Sequence, residues 1–180
     1  MTAMTTAFEV PHDGWTTETL PDADFHYELV DGALLVTPPP QFGHVVIASE
    51  LSHLLAGLVE PGWGAATDPG VYFDLRNYRE PDVVVYRRSA IAKGRLEPGD
   101  VLLAVEVMSP SSIATDRIAK PAQYAAAGIA HYWRIEQDPL VLIAHEVVGG
   151  VYRETGRYTD DVVLTEPLAV SFRLGDLLRP

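Results

Sequence analysis

Apolar runs alternate with turn chemistry along most of the chain, and two stretches shift to helical spacing. Tyr27 to Thr37 reads as two short strands joined at Asp31-Gly32, because both central residues of a tight hairpin must tolerate positive φ. Pro38, Pro39 and Pro40 end the second strand. Residues 42–59 place Ile47, Leu51, Leu54, Leu55 and Leu58 at helical spacing, and Pro61-Gly62 closes the helix. Val71 to Leu75 predicts a strand. Asp82 to Tyr86 and Val101 to Met108 are β-branched, apolar runs of the kind found in buried central strands. Asn77 to Pro81 and Lys93 to Gly99 read as the loops around them. Ser111-Ser112 can cap a second helix over about 113–127, with Gly128 at its C-terminal end. His131 to Glu136, Leu140 to Val147, Val151 to Tyr158 and Val162 to Leu164 predict further strands, with Gly149-Gly150 as a turn. A short element over Leu174 to Leu178 closes the pattern. Near the start, Trp15 to Leu20 predicts a short helix stopped by Pro21, preceded by a loose lead-in over residues 1–14. The order is hairpin, helix, strands, helix, strands. It implies one α/β domain over 15–180, of the α+β kind: a central mixed β-sheet flanked by two main helices.

Composition sharpens this. With 180 residues, 47% apolar and 21% charged, the chain is globular and able to bury a core. It has no cysteine, so disulfides and thiolate metal sites are excluded, and any metal must sit on carboxylate, imidazole or carbonyl groups. That favours Mg²⁺, Mn²⁺ or Ca²⁺. Met1 to Pro11 has no basic start followed by an apolar stretch, and no apolar run is long enough to span a bilayer, so a cytoplasmic location without membrane contact is expected. The net charge of -12 argues against a strong general nucleic-acid binder, since phosphate neutralisation supplies much of that affinity. It leaves room for a local basic groove, or for an acidic cluster neutralised by a divalent ion.

The candidate chemistry starts at Glu106, which stands inside Val101-Leu102-Leu103-Ala104-Val105-Glu106-Val107-Met108. An ionised carboxylate in such a run costs several kcal/mol to bury unless paired or metal-bound. The alternatives are a strand that ends at an exposed edge, or a structural pair with an arginine. Asp82 opens a second apolar strand after Pro81, and adjacent strands can bring the two carboxylates to one cation. The chain has two lysines against eleven arginines. Lys93 lies in a Gly/Pro loop and reads as solvated. Lys120 lies in the helix after the Glu106 strand, where Asp116, Lys120 and Tyr124 form one stripe at i, i+4 and i+8. Either the stripe is a surface pair, or it faces the carboxylates and supplies a cation beside them. No Gly-x-Ser-x-Gly elbow, phosphate-cradling glycine loop or zinc-spaced histidine pair is present.

Tyr27-Glu28-Leu29-Val30-Asp31-Gly32, the Pro81-Asp82 strand, Val105 to Ser111, and Asp116, Lys120, Tyr124, Gly128 and Tyr132-Trp133 follow in that order. In this the chain resembles the Uma-two family of restriction endonucleases, within the PD-(D/E)XK nuclease superfamily, over roughly residues 15–178. The resemblance implies a restriction-endonuclease-like core with Asp82 and Glu106 as Mg²⁺ ligands. In the wider superfamily a lysine follows the glutamate by two residues. Here Met108 holds that position, and Lys120 matches a lysine that the family places in the next helix. Glu28 matches a family acid that reaches the metal through water, the alternative being an exposed strand residue. His44 matches a family histidine at the start of the first helix, the alternative being a hydrogen-bonded core histidine. Glu80 adds another acid beside Asp82 and reads as a solvated loop charge, the alternative being a further water-mediated ligand.

The resulting expectation is a Mg²⁺-dependent endonuclease that hydrolyses DNA, with Mn²⁺ as a substitute ion. Asp82 and Glu106 would hold the metal, Lys120 would assist, and Glu28 and His44 are further catalytic candidates. The rival expectations are a catalytically degenerate nuclease-fold binding or assembly module, and a metal-dependent hydrolase of another phosphorylated substrate. Edge strands in the β-rich second half point to a homodimer.

Overall fold

The computed structural model describes residues 11–21, 26–108 and 118–178. The first hairpin pairs β1 (Tyr27–Val30) with β2 (Ala33–Val36) through Asp31 and Gly32, both at positive φ. The positive φ of Gly32 is what favours glycine there, and a Cβ would also displace the Arg76 guanidinium, which donates to the Asp31 carbonyl. Helix α1 (Phe42–Leu58) follows, then β3 (Trp63–Thr67), β4 (Val71–Asp74), β5 (Asn77–Arg79) and β6 (Val83–Arg87). A one-turn helix α2 (Ala90–Lys93) leads to β7 (Val101–Val107). Helix α3 (Lys120–Ala126) precedes β8 (His131–Gln137), β9 (Leu140–Val148) and β10 (Val151–Tyr158). The chain closes with β11 (Asp161–Leu164), β12 (Val170–Arg173) and a 3-10 turn over Leu174–Leu178.

Six strands form the central sheet in the order β10-β9-β8-β7-β6-β3. Only β7 and β8 run parallel, and α3 lies on the crossover between them. Along β6 and β7 the side chains alternate between two apolar layers. Val83, Val85, Leu103, Val105 and Val107 pack against Ile47, Leu51 and Leu55 of α1. Val84 and Ala104 face the opposite side with Tyr124 of α3 and Tyr132 of β8. Each fully buried aliphatic side chain contributes about 1.5–3 kcal/mol. Coverage of both faces explains why these strands read as continuous apolar runs. Helix α3 ends at Gly128, whose φ of 82° turns the chain so that the Ile129 N–H returns to the Tyr124 carbonyl.

The single sheet expected from the sequence is joined by two smaller ones, of order β2-β1-β5-β4 and β11-β12. The predicted loop over Asn77 to Pro81 contains β5, whose Tyr78 and Arg79 are buried. The predicted helix over Trp15 to Leu20 is a set of turns. The Thr16 N–H donates to the Thr19 hydroxyl, while the Trp15 and Thr17 N–H groups go to the carbonyls of Gly32 and Leu75. Threonine hydroxyls compete with helical bonding, and Trp15 is drawn into a small core with Leu29 and Tyr78. Lys93, expected in a solvated loop, ends α2, and its ammonium lies 2.8 Å from the buried Asp100 carboxylate. Strands β3 and β12 were not anticipated. The helix predicted over about 113–127 is present from Lys120. Its first part, with Ser109, Ser111 and Asp116, lies outside the described residues.

Candidate active site

Glu106 points to the α3 side of the sheet and is 1% exposed, so it is not an edge residue. Its Oε1 accepts the Tyr124 hydroxyl at 2.6 Å, and its Oε2 lies 3.0 Å from Lys120 Nζ. Such short, charge-assisted bonds offset the desolvation of a buried carboxylate. The i, i+4 stripe therefore does face the strand: Lys120 and Tyr124, one helical turn apart, close on the two oxygens of one side chain. Burial, followed by the Glu106 charge, holds the Tyr124 hydroxyl pKa well above its usual value, so the phenol stays a donor.

Lys120 also lies 3.1 Å from Glu28 Oε1. Glu28 is buried on β1, in contrast to an exposed strand position, and its Oε2 lies 2.9 Å from Arg79 Nη1. Its Oε1 accepts the Glu80 backbone N–H, and Arg79 Nε donates to Gln123 Oε1 at 2.7 Å. Two carboxylates and two cations thus alternate from β5 through β1 and α3 to β7, with formal charges that cancel. Arg79 and Gln123 were not singled out from the sequence. Arg79 sits in a polar tripeptide whose acidic partner is 51 residues away, a separation that no local pattern reports.

Asp82 immediately precedes β6. Extending the register of Val83 with Val105 by one residue sets Asp82 opposite Glu106. Asp82 Oδ2 accepts the Val107 N–H at 2.6 Å and lies 3.1 Å from His44 Nε2. The aspartate therefore ties the start of β6 to the end of β7 and to the first turn of α1. His44 is buried, as a core histidine would be, but it is aimed at Asp82 instead of sitting only among Ile47 and Leu51. Its Nδ1 is buried without a hydrogen-bond partner. Burial alone would lower the His44 pKa. The hydrogen bond to Asp82 and the Asp82 charge outweigh it and leave the pKa raised.

Asp68, in the segment between β3 and β4, adds an acid that was not singled out from the sequence. Its N–H donates to the Asp82 carbonyl at 3.2 Å. Much of its surface is exposed, yet desolvation on its inner side and then the Asp82 charge push its carboxyl pKa up. Glu80 is not a free loop charge. It accepts the Tyr78 hydroxyl at 2.8 Å and lies 3.1 Å from His26 Nδ1.

Asp82 and Glu106 supply hard oxygen donors, which suit Mg²⁺ in kind. Among the described residues no three His, Asp or Glu side chains converge as a metal cage. Magnesium rarely uses such a cage, since it keeps several waters and is held by one or two carboxylates plus substrate phosphate. Asp82 Oδ1 has no hydrogen-bond donor among the described residues, which leaves one carboxylate oxygen for a cation. Both Glu106 oxygens already carry protein partners.

Comparison with known proteins follows the same line. The Uma2 family, described as "Putative restriction endonuclease", matches residues 16–176. A crystal structure of "a putative nuclease belonging to DUF820" from Anabaena variabilis superposes with a TM-score of 0.70 at 21% identity, covering 88% of this chain and 92% of that one. At that identity the likeness is one of fold. No curated protein matches the chain. With the family match running through the β1 hairpin, Asp82, Glu106 and Lys120, this chain belongs to the Uma2 restriction-endonuclease family.

Proposed function

We propose that this protein is a Mg²⁺-dependent endonuclease that hydrolyses DNA phosphodiester bonds. The observation that carries the reading is Asp82, just before β6, held on the Val107 N–H next to Glu106, with the Lys120 ammonium on the glutamate. Family membership and the fold of a nuclease relative support it. Asp82 and Glu106 would hold the ion, which supplies Lewis-acid polarisation of the scissile phosphate and acidification of water. His44 and the Val107 N–H fix the Asp82 carboxylate, and Tyr124 fixes that of Glu106. Lys120 offers its ammonium to the negative charge that develops on the phosphoryl oxygens. Glu28, anchored by Arg79, holds the lysine from behind and is a positioning residue.

The test is plasmid cleavage with Mg²⁺ or Mn²⁺, comparing wild type with Asp82→Ala and Glu106→Ala. Loss of cleavage in both variants is expected, and equal activity in all three would sink the assignment.

One observation favours a second reading, a nuclease fold that binds or assembles without cutting. Lys120 lies between two carboxylates, in a chain of net charge -12. Calorimetric titration with Mn²⁺ and with DNA separates the two. Metal binding without DNA binding or cleavage selects the module, or a hydrolase of another phosphorylated substrate.

A homodimer is part of the proposal, since β10 and β3 are open edges of the central sheet. The bulge between Glu154 and Gly156 and the charges of Arg153, Glu154 and Arg157 guard β10 against simple edge pairing. Sedimentation showing only monomer at micromolar concentration would remove the dimer. Among the described residues no helix is long and apolar enough to cross a membrane, and a cytoplasmic location remains part of the same reading.

A further inference from the structure

A surface cleft of about 380 Å³ opens between β3, the β4–β5 hairpin and α2, within the range of small-ligand sites. Tyr72, Tyr78, Tyr86 and Arg95 form its walls, and Ala66 and Gly70 keep its base small. The Arg95 guanidinium lies over the Tyr72 ring at 4.9 Å, and Tyr72 meets Tyr78 edge-on. Gly70 lies so close to Tyr78 that a Cβ would overlap the phenol. None of Asp82, Glu106 and Lys120 lines the cleft, but two of its neighbours lead to Asp82. The Tyr78 hydroxyl binds Glu80, two residues before Asp82, and the Pro69-Gly70 rim follows Asp68, whose N–H binds the Asp82 carbonyl.

A basic stretch of the chain leads into the cleft wall at Arg95. Arg87, Arg88, Lys93 and Arg95 are four of the thirteen lysines and arginines, gathered within nine residues, and residues 87–96 contain no acid. Lys93 is committed to Asp100 and Arg95 lies 3.4 Å from Glu97. Arg87 and Arg88 are exposed, and neither has an ion-pair partner among the described residues. Arg87 stacks over Trp63, and Arg88 Nε donates to the Trp63 carbonyl. Arg87 and Arg88 therefore lie at Trp63, outside the cleft, and its own wall of tyrosines and Arg95 is the chemistry that binds unpaired nucleic-acid strands. Every base has a π-face to stack on tyrosine or arginine, and the backbone phosphates take the charge.

We infer that this cleft receives one unpaired base of a single DNA strand, with a flanking phosphate on Arg95. The inference rests on the DNA reading of Asp82 and Glu106 and names the form of the substrate. A base inside an intact duplex cannot reach such a wall without leaving its stack.

The experiment is fluorescence anisotropy with a labelled twelve-residue oligothymidine, against a duplex of the same length, in EDTA at low salt. Plasmid cleavage with Mg²⁺ is scored in parallel. Wild type is expected to bind the single strand about tenfold more tightly than the duplex, as one added base stack implies. Tyr72→Leu and Tyr86→Leu should each weaken that binding by about tenfold. Arg95→Glu, at an exposed position where folding is not at stake, should weaken it and flatten its salt dependence. Single-strand affinity unchanged in all three variants, or no preference over duplex, overturns the inference. Competition by thymidine monophosphate at the concentration of the oligonucleotide assigns the cleft to a free nucleotide and also overturns it. Tyrosine-dependent binding without any plasmid cleavage leaves the cleft standing and counts against the nuclease reading. Cleavage with binding indifferent to Tyr72, Tyr86 and Arg95 counts against the cleft alone.

Discussion

Replacing Lys120 with methionine keeps most of the side-chain volume and removes the cation shared by Glu28 and Glu106. At an effective dielectric of about 20, each of its contacts, at 3.0 and 3.1 Å, is worth roughly 5 kcal/mol of gross Coulomb attraction. Desolvation offsets much of this in the native protein. In the variant the carboxylates stay buried without the charge between them, and breaking a buried pair in this way costs about 3–5 kcal/mol. That is a large share of a typical stability of about 5–15 kcal/mol. Urea unfolding followed by tryptophan fluorescence reads it directly, since Trp15 and Trp133 are both buried. With a slope near 2 kcal/mol/M, the midpoint should fall by about 1.5–2.5 M at unchanged slope. Combining Lys120→Met with Glu106→Gln leaves Glu28 on Arg79 and should recover more than half of the loss. A midpoint shift below about 0.5 M for the single variant, or no recovery in the double, would refute the view that these four groups form one coupled charge network.

Three smaller tests follow. Tyr124→Phe removes one short bond to a buried carboxylate and should cost about 1.5–3 kcal/mol, a melting-temperature drop of roughly 4–10 °C by calorimetry. Gly32→Ala meets both a φ of 85° and the Arg76 guanidinium, so it should destabilise by at least about 1 kcal/mol in the same assay. The Lys93 hydrogen bond holds the Asp100 carboxyl below the usual range. Its stabilisation is therefore complete above the unfolded value of about 3.9 and is lost as pH falls through the lower folded value. Asp100→Asn should accordingly lose less stability than wild type between about pH 5 and pH 2, measured by denaturation across that range.

The parts of the molecule written in local pattern were legible. Glu106 stood out because a charge inside an apolar strand needs a reason, and the Lys120–Tyr124 spacing put both on one helix face without deciding whether that face met the carboxylates or solvent. The Asp31-Gly32 hairpin, α1, and the valine-rich β6 and β7 follow from turn chemistry and periodicity. What was hidden depends on partners distant in sequence. β5 is three polar residues whose buried arginine makes sense only beside Glu28. β3 is Trp-Gly-Ala-Ala-Thr, with little strand propensity of its own, and its pairing with β6 forms it. The Trp15 segment has helical residues but gives its N–H groups to the hairpin and to Leu75. Of the site, Glu28 and His44 came from resemblance, while Arg79, Gln123 and Asp68 are seen only in three dimensions.

On the nuclease reading proposed above, the row of charges from Arg79 through Glu28 and Lys120 to Glu106 has a further consequence. A free lysine side chain carries about 2 kcal/mol of rotameric entropy. Here that freedom is surrendered when the four-stranded sheet docks on the six-stranded one, long before any substrate arrives. The ammonium waits already oriented, and binding a phosphate need not order it again. Preorganisation of this kind moves a cost from ligand binding to folding, and it makes the position of the lysine a property of how two sheets meet.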